Sequence, residues 1–251
     1  MQKRFNIDQV AFSYTNLDDA LEQLEKKVAK KEKAYICVSN VRATYIGNHD
    51  KGYCKILNAS FLTLPDGKPV EWYAHISGYK DVKKCSGQDF FYKVCRISEK
   101  KGYTHFFYGS TPQIVEKLQV NLIKKFPSLK IIGAISPPNE AAGELANSDI
   151  VEHINHLKPN FVWVGLGAPK QEYFMDLIIN KIAASILIGV GLVFDYEAET
   201  VNRAPKWMQK NGLEWAFVWY QQPRKITRSY LYFLYFIKLL IKRMYEKYRE
   251  N

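Results

Sequence analysis

Short apolar runs alternate with amphipathic stretches along most of the chain. Residues 34–38, 59–64, 103–108, 129–135, 161–164 and 185–190 read as strands. The run Phe161-Val162-Trp163-Val164 has no polar alternation, as expected of a parallel strand covered on both faces. Between the runs, apolar positions recur at helical spacing. Leu17, Ala20, Leu21, Leu24 and Val28 share one face of a helix that Asn16 caps and that extends to about Lys30. Helices are also expected through Tyr45, from His49–Asp50 to about Leu57, over Pro69–Ile76, from Gly87 or Gln88 to about Lys101, from Pro112 to Phe126, from Ser148 to Leu157 and after Pro169. Residues 5–14 suit a short strand or hairpin. This order predicts an α/β fold, Rossmann-like, with a mainly parallel sheet flanked by helices.

In such a sheet, ligands bind beyond the carboxyl ends of the strands. The turns expected there are Ser39-Asn40, Asp66-Gly67, Gly109-Ser110, Gly165-Leu166-Gly167 and Gly189-Val190-Gly191. Gly165 and Gly167 leave room for a ligand near the main chain, and Pro169 suits a first helical position. The free amides of that helix start attract an anion, typically a phosphate; a plain turn with no ligand is the alternative. The GxGxxG fingerprint fails because Lys170 stands at its third glycine, and no Walker lysine loop is present. A nicotinamide enzyme or an ATPase is therefore disfavoured. Pro137-Pro138-Asn139-Glu140-Ala141-Ala142-Gly143 is a loop, either a mobile lid or a connection.

The 251 residues, 47% hydrophobic and 24% charged, suit one large globular α/β core. Of the net charge of +11, the segment from Arg224 to Asn251 holds eight Lys or Arg against two Glu. There, Tyr230–Ile241 is apolar almost all round, and Trp215, Phe217, Trp219 and Tyr220 precede it. These features predict a core over residues 1–200 and a helical appendage over 201–251 that associates with an anionic membrane surface and closes over the active site. A packed helix with a solvated basic end is the other reading. Nucleic acid is disfavoured because no binding motif accompanies the charge. No run is long enough to span a bilayer, and the start is polar. The four cysteines form no CxxC pair. The expected setting is reducing and cytoplasmic, with the tail at a membrane surface.

Four stretches carry a resemblance: Leu64-Pro65-Asp66-Gly67; Gly165-Leu-Gly-Ala-Pro-Lys-Gln-Glu172; Gly189-Val-Gly-Leu-Val-Phe-Asp195; and Arg203-Ala-Pro-Lys-Trp-Met-Gln209 with Gly212-Leu-Glu-Trp215, extended by Gln222-Pro223-Arg224. Together, over residues 35–230, they resemble the WecG/TagA/CpsF family of bacterial glycosyltransferases. The resemblance implies inverting transfer of N-acetylmannosamine, its uronic acid or a related hexose from a UDP-sugar. The acceptor it implies is a polyprenyl-diphosphate-linked glycan, in the synthesis of teichoic acid, capsule or exopolysaccharide. A non-catalytic nucleotide-sugar-binding subunit of a polysaccharide assembly complex is the alternative.

Within that resemblance, Asp66 matches the family's proposed general base, which takes the proton of the attacking hydroxyl. Asn40 matches a small-polar-then-asparagine motif that holds sugar or acceptor. Val38 stands where many members have Thr, and Ser39 offers a replacement hydroxyl. Gln171 matches a donor-binding glutamine, with Lys170 and Glu172 beside it either engaged or solvent-facing. Lys84 stands where many members have Arg, so it supplies charge without a bidentate fork. Asp195 binds donor or shapes its loop. No DxD motif is present, which fits a metal-independent reaction with no cofactor, in which Arg203, Arg224 and Arg228 neutralise the leaving UDP. Dimers or trimers are open by the same resemblance.

Overall fold

The computed structural model describes residues 3–183, 185–221 and 226–250. In chain order its strands are β1 (Arg4–Ile7), β2 (Val10–Ser13), β3 (Ala34–Ser39), β4 (Leu62–Pro65), β5 (Thr104–Gly109), β6 (Lys130–Ile135), β7 (Phe161–Gly165) and β8 (Ile186–Gly189). The helices are α1 (Leu17–Ala29), α2 (Val41–His49), α3 (Lys51–Ala59), α4 (Lys68–Ile76), α5 (Gly87–Lys101), α6 (Pro112–Lys125), α7 (Ala142–Leu145), α8 (Ser148–Leu157), α9 (Lys170–Ile179), α10 (Val193–Glu197), α11 (Lys206–Lys210), α12 (Glu214–Gln221) and α13 (Ile226–Glu250). Strands β3 to β8 form one six-stranded sheet in the order β4-β3-β8-β7-β5-β6, and every pairing is parallel. The expected α/β architecture is therefore present.

Each face of the sheet carries its own core, as both-sided coverage demands. Tyr35, Cys37, Tyr108, Val162 and Val164 pack under α2, α3 and α9, with Phe174 and Met175 among their neighbours. Ile36, Phe107, Phe161, Trp163 and Ile188 pack on the other face with Phe90, Phe91 and Leu118. On that face the indole of Trp163 donates to Nδ1 of His105 at 2.8 Å, and burial lowers the His105 pKa to about 3, so the imidazole stays neutral. The β1–β2 hairpin is pinned to the β4 edge by Arg4. Its guanidinium donates to Ala11 O at 3.2 Å, to Thr63 Oγ1 at 3.3 Å and to the Ser60 carbonyl.

The tail packs on the core. Phe236 of α13 is buried against Tyr73 of α4, with ring centroids 6.2 Å apart, and Tyr45 of α2 meets Tyr232 and Tyr235 at 4.9 and 5.3 Å. Arg243 donates to Ser77 Oγ at 3.1 Å. The opposite side of α13 exposes Leu231, Leu234, Ile241 and Met244, which recur at helical spacing. Trp215 of α12 packs on Trp219 and on Phe233 of α13. Among the described residues no helix is long and apolar enough to cross a membrane.

Candidate active site

Asp66 follows the last residue of β4, on the carboxyl rim of the sheet. Its backbone N–H donates to Ser39 O at 2.8 Å, which ties it to the end of β3. Gly67 then takes a φ of 89°, a left-handed angle that costs glycine little, and turns the chain into α4. The Asp66 carboxyl keeps an opening to solvent but is otherwise ringed by protein. Burial, and secondly the Glu214 carboxylate, push its pKa up to about 6; Lys84, Arg203 and the Asn40 amide pull the other way. Asn40 also caps α2, its Oδ1 accepting from the backbone of Arg42 at 3.0 Å and of Ala43 at 3.4 Å. The Tyr196 phenol completes the group, pushed up to about 12 by burial and by the charges of Asp66 and Glu214.

The cations around Asp66 are largely paired. Lys84 forms an ion pair with Glu214 of α12, and its backbone N–H donates to Glu71 Oε2 at 2.8 Å. Glu71 also meets Lys68 at 2.6 Å. Arg203 holds Asp89 in a two-pronged contact of 2.7 and 3.0 Å and donates to Ser86 Oγ at 3.1 Å. Burial raises the Asp89 pKa, but the bonds from Arg203 and Ser86 outweigh it and leave the carboxyl below its ordinary range. The fork expected to face a departing phosphate is thus engaged by an acid. Beside these pairs lies a cleft of about 560 Å³ between α4, the 83–89 segment and α11.

The glycine turn after β7 differs from expectation. Its Gly167 amide is engaged within the protein. Gln171 is buried, and its Oε1 accepts from Gly167 N at 3.2 Å and from Gly191 N at 3.1 Å. Its Nε2 donates to Glu172 Oε1 at 2.8 Å. Glu172 faces inward and is fully buried, not solvent-facing, because the first turn of α9 lies against the sheet. Burial pushes its carboxyl up to about 7. Gly165 serves packing: a Cβ there would stand 2.7 Å from the Phe194 ring. Lys170 is engaged with the 137–143 loop, donating to Asn139 Oδ1 and Glu140 O, both at 3.1 Å.

Of the other expected site residues, Ser39 is enclosed. Strand alternation puts it on the same face as Tyr35 and Cys37, and its hydroxyl has no hydrogen-bond partner among the described residues. Asp195 is partly exposed at the start of α10, where its carbonyl receives Thr200 N at 3.0 Å and Thr200 Oγ1 at 3.1 Å. Gln222, Pro223 and Arg224 lie outside the described residues, and Arg228 is described only as part of the α13 backbone. The structure therefore brings together Asp66, Asn40, Lys84 and Arg203. Asp66, after β4, is set apart from the Gly165–Gln171 turn by two intervening strands, β3 and β8, which at ordinary strand spacing is about 14 Å, whereas Asn40, after β3, is separated from it by β8 alone. Both groups share one rim, and Arg42 of α2 bridges toward the turn by donating to Ala168 O at 2.8 Å.

Glu214 and Tyr196 were not singled out from the sequence, although Glu214 stands inside Gly212-Leu-Glu-Trp215. A glutamate between a helix-stopping glycine and a tryptophan carries no local sign of an ion pair 130 positions away.

The sequence matches the glycosyl transferase WecG/TagA/CpsF family over residues 5–250. It is similar to proteins named N-acetylglucosaminyldiphosphoundecaprenol N-acetyl-beta-D-mannosaminyltransferase. The one from Bacillus subtilis (strain 168) is 27% identical over 213 residues, covering 84% of this chain and 81% of the relative. That from Bacillus spizizenii (strain ATCC 23059 / NRRL B-14472 / W23) is 25% identical over 227 residues, covering 88% and 85%. That from Staphylococcus aureus (strain NCTC 8325 / PS 47) is 22% identical over 210 residues, covering 83% and 81%. Since the family pattern runs through both the sheet and the tail, the chain belongs to the WecG/TagA/CpsF family of glycosyltransferases.

Proposed function

We propose that this glycosyltransferase moves N-acetylmannosamine, its uronic acid or a related hexose from a UDP-sugar to a hydroxyl of a polyprenyl-diphosphate-linked glycan. Asp66 is the general base. The observation that carries the reading is the Asp66 environment: a carboxyl on the sheet's carboxyl rim, raised to about 6 and so ionised at neutral pH, beside a cleft that its neighbours Lys84 and Arg203 line. A base poised just below the working pH combines ionisation with proton affinity. The names of the relatives support a lipid-diphosphate acceptor and an N-acetylmannosamine donor group. The reaction runs with inversion, and cations meet the charge of departing UDP, with Arg224 and Arg228 the tail's contributors.

The tail completes the enzyme at the membrane. Lys206 and Lys210 line the cleft, and Glu214 reaches Lys84, which supports closure of residues 201–251 over the site. The outward apolar side of α13, flanked by Lys238 and Lys242, suits insertion at headgroup depth on the inner face of the bacterial membrane. The test is Asp66→Asn. The variant should still give a thermal shift with UDP-N-acetylmannosamine yet lose turnover by orders of magnitude on a lipid-diphosphate acceptor. Near-normal turnover would remove Asp66 from the mechanism.

A further inference from the structure

Two diphosphates meet in such a reaction, one on the donor and one on the acceptor. The geometry around Asp66 separates them. In an inverting displacement the acceptor oxygen attacks the anomeric carbon from the face opposite the departing phosphate. The O–H proton passes to Asp66, the new C–O bond forms as the sugar–phosphate bond breaks, and the electron pair leaves on UDP. The base therefore stands on the acceptor's side of the transferred sugar, and the donor's diphosphate stands on the other.

The basic cleft lies on the base's side. Lys84 and Arg203 line it, and their charges reach the Asp66 carboxyl, which stands beside the cleft and not in its lining. Three of its cations are matched within the protein: Lys68 by Glu71, Lys84 by Glu214 and Arg203 by Asp89. Lys83, Lys206 and Lys210 line the same cleft and form no ion pair among the described residues. The lining thus keeps unmatched positive charge for an anion. A diphosphate diester, as in a lipid-linked sugar, is dianionic and matches it.

The cleft also adjoins the surface assigned to the membrane. Helix α4 lines it with Lys68, Glu71 and His75, while Tyr73 of the same helix packs on Phe236 of α13. A head group carried by a bilayer under α13 reaches the cleft past one helix.

We infer that this cleft seats the diphosphate of the lipid-linked acceptor, with Lys83, Lys206 and Lys210 as its cations, and that the donor's diphosphate binds elsewhere on the rim. The inference rests on the donor–acceptor reading above and adds to it which diphosphate the cleft takes. All three lysines are exposed, so their removal leaves the core intact.

The test compares the full chain with a Lys83→Ala/Lys206→Ala/Lys210→Ala variant. UDP-N-acetylmannosamine is the donor, and the two acceptors are a short-chain alkyl-diphosphoryl N-acetylglucosamine and an alkyl N-acetylglucosaminide without phosphates. The variant should raise KM for the diphosphoryl acceptor about tenfold or more, leave the donor KM within about twofold, and show no penalty on the phosphate-free acceptor. A raised donor KM, or an equal penalty on both acceptors, overturns the assignment. In parallel, farnesyl diphosphate binding is read by tryptophan fluorescence. Binding to the wild type that survives saturating UDP and is lost in the variant supports the cleft; absence of binding, or competition by UDP, overturns it. If the wild type transfers to neither acceptor, the donor–acceptor reading falls, and farnesyl diphosphate binding alone decides what the cleft holds.

Discussion

Gln171 donates its Nε2 to Glu172 Oε1 at 2.8 Å, and this bond orients the amide so that its oxygen faces the Gly167 and Gly191 N–H groups. One side chain thereby joins the turns after β7 and β8. Gln171→Leu leaves two main-chain donors unpaired, and the unfolding free energy should fall by about 2–4 kcal/mol in urea titrations. A loss below about 0.5 kcal/mol would show that water replaces the bridge without cost.

Glu172 gives stability a pH dependence. Its pKa rises from about 4.5 in the unfolded chain to about 7 in the folded one. The folded protein then holds a proton that the unfolded chain has released, so this group erodes stability as pH climbs from about 4.5 to about 7 and adds nothing further above that. Glu172→Gln keeps an acceptor for Gln171 and removes the titration. Its stability relative to wild type should increase between pH 5 and pH 7, in chemical denaturation at each pH. Parallel curves would place the Glu172 carboxylate in the charged form throughout.

Asp66 follows the same sign, with a raised pKa of about 6. Asp66→Asn should therefore be more stable than wild type at pH 7.5, by about 1–3 kcal/mol, or several degrees in melting temperature, while it is inactive. In the wild type, kcat/KM should climb with pH and level off above about 6, as the base ionises. A profile flat from pH 5 to pH 8 would contradict the assignment of base.

Arg203 and Asp89 are coupled by their two-pronged contact. Both side chains are partly exposed, which limits the interaction to about 1 kcal/mol in a double-mutant cycle. Arg203→Lys keeps the charge but not the fork and should recover less than half of it. Complete recovery by lysine would mean that only the charge matters there.

The outward side of α13 should govern membrane association. Leu234→Glu/Ile241→Glu alters exposed positions, so melting temperature should stay within about 2 °C of wild type. Co-sedimentation with phosphatidylglycerol vesicles should drop several-fold. Undiminished sedimentation would move the membrane contact away from this helix.

Much of the architecture was legible because its signals are local. The helix expected over Ser148–Leu157 is found there, burying Ile150, Val151 and Ile154. Asn16 and Asn40 cap the helices that follow them. Asp66 was legible locally only as an Asp-Gly turn at a strand's end; its reading as a base came from the family resemblance. The glycine turn was legible as a turn but not in its chemistry. Its Gly167 amide, together with the Gly191 amide of the turn after β8, is satisfied by Gln171, whose orientation depends on Glu172 facing the sheet.

The sequence by itself determined where strands and helices lie, that the sheet is parallel, and that Asp66, Asn40 and the glycine turns gather on one rim, since periodicity and turn chemistry act between near neighbours. Only the tertiary structure decided which charges meet. Glu214 comes to Lys84 and Arg203 to Asp89 because the tail folds back across the rim, and Glu172 is buried because α9 packs with its first turn inward. Ion pairing and burial of this kind depend on which surfaces are brought together across long sequence separations. An exposed and a buried glutamate are the same letter until those surfaces are in place.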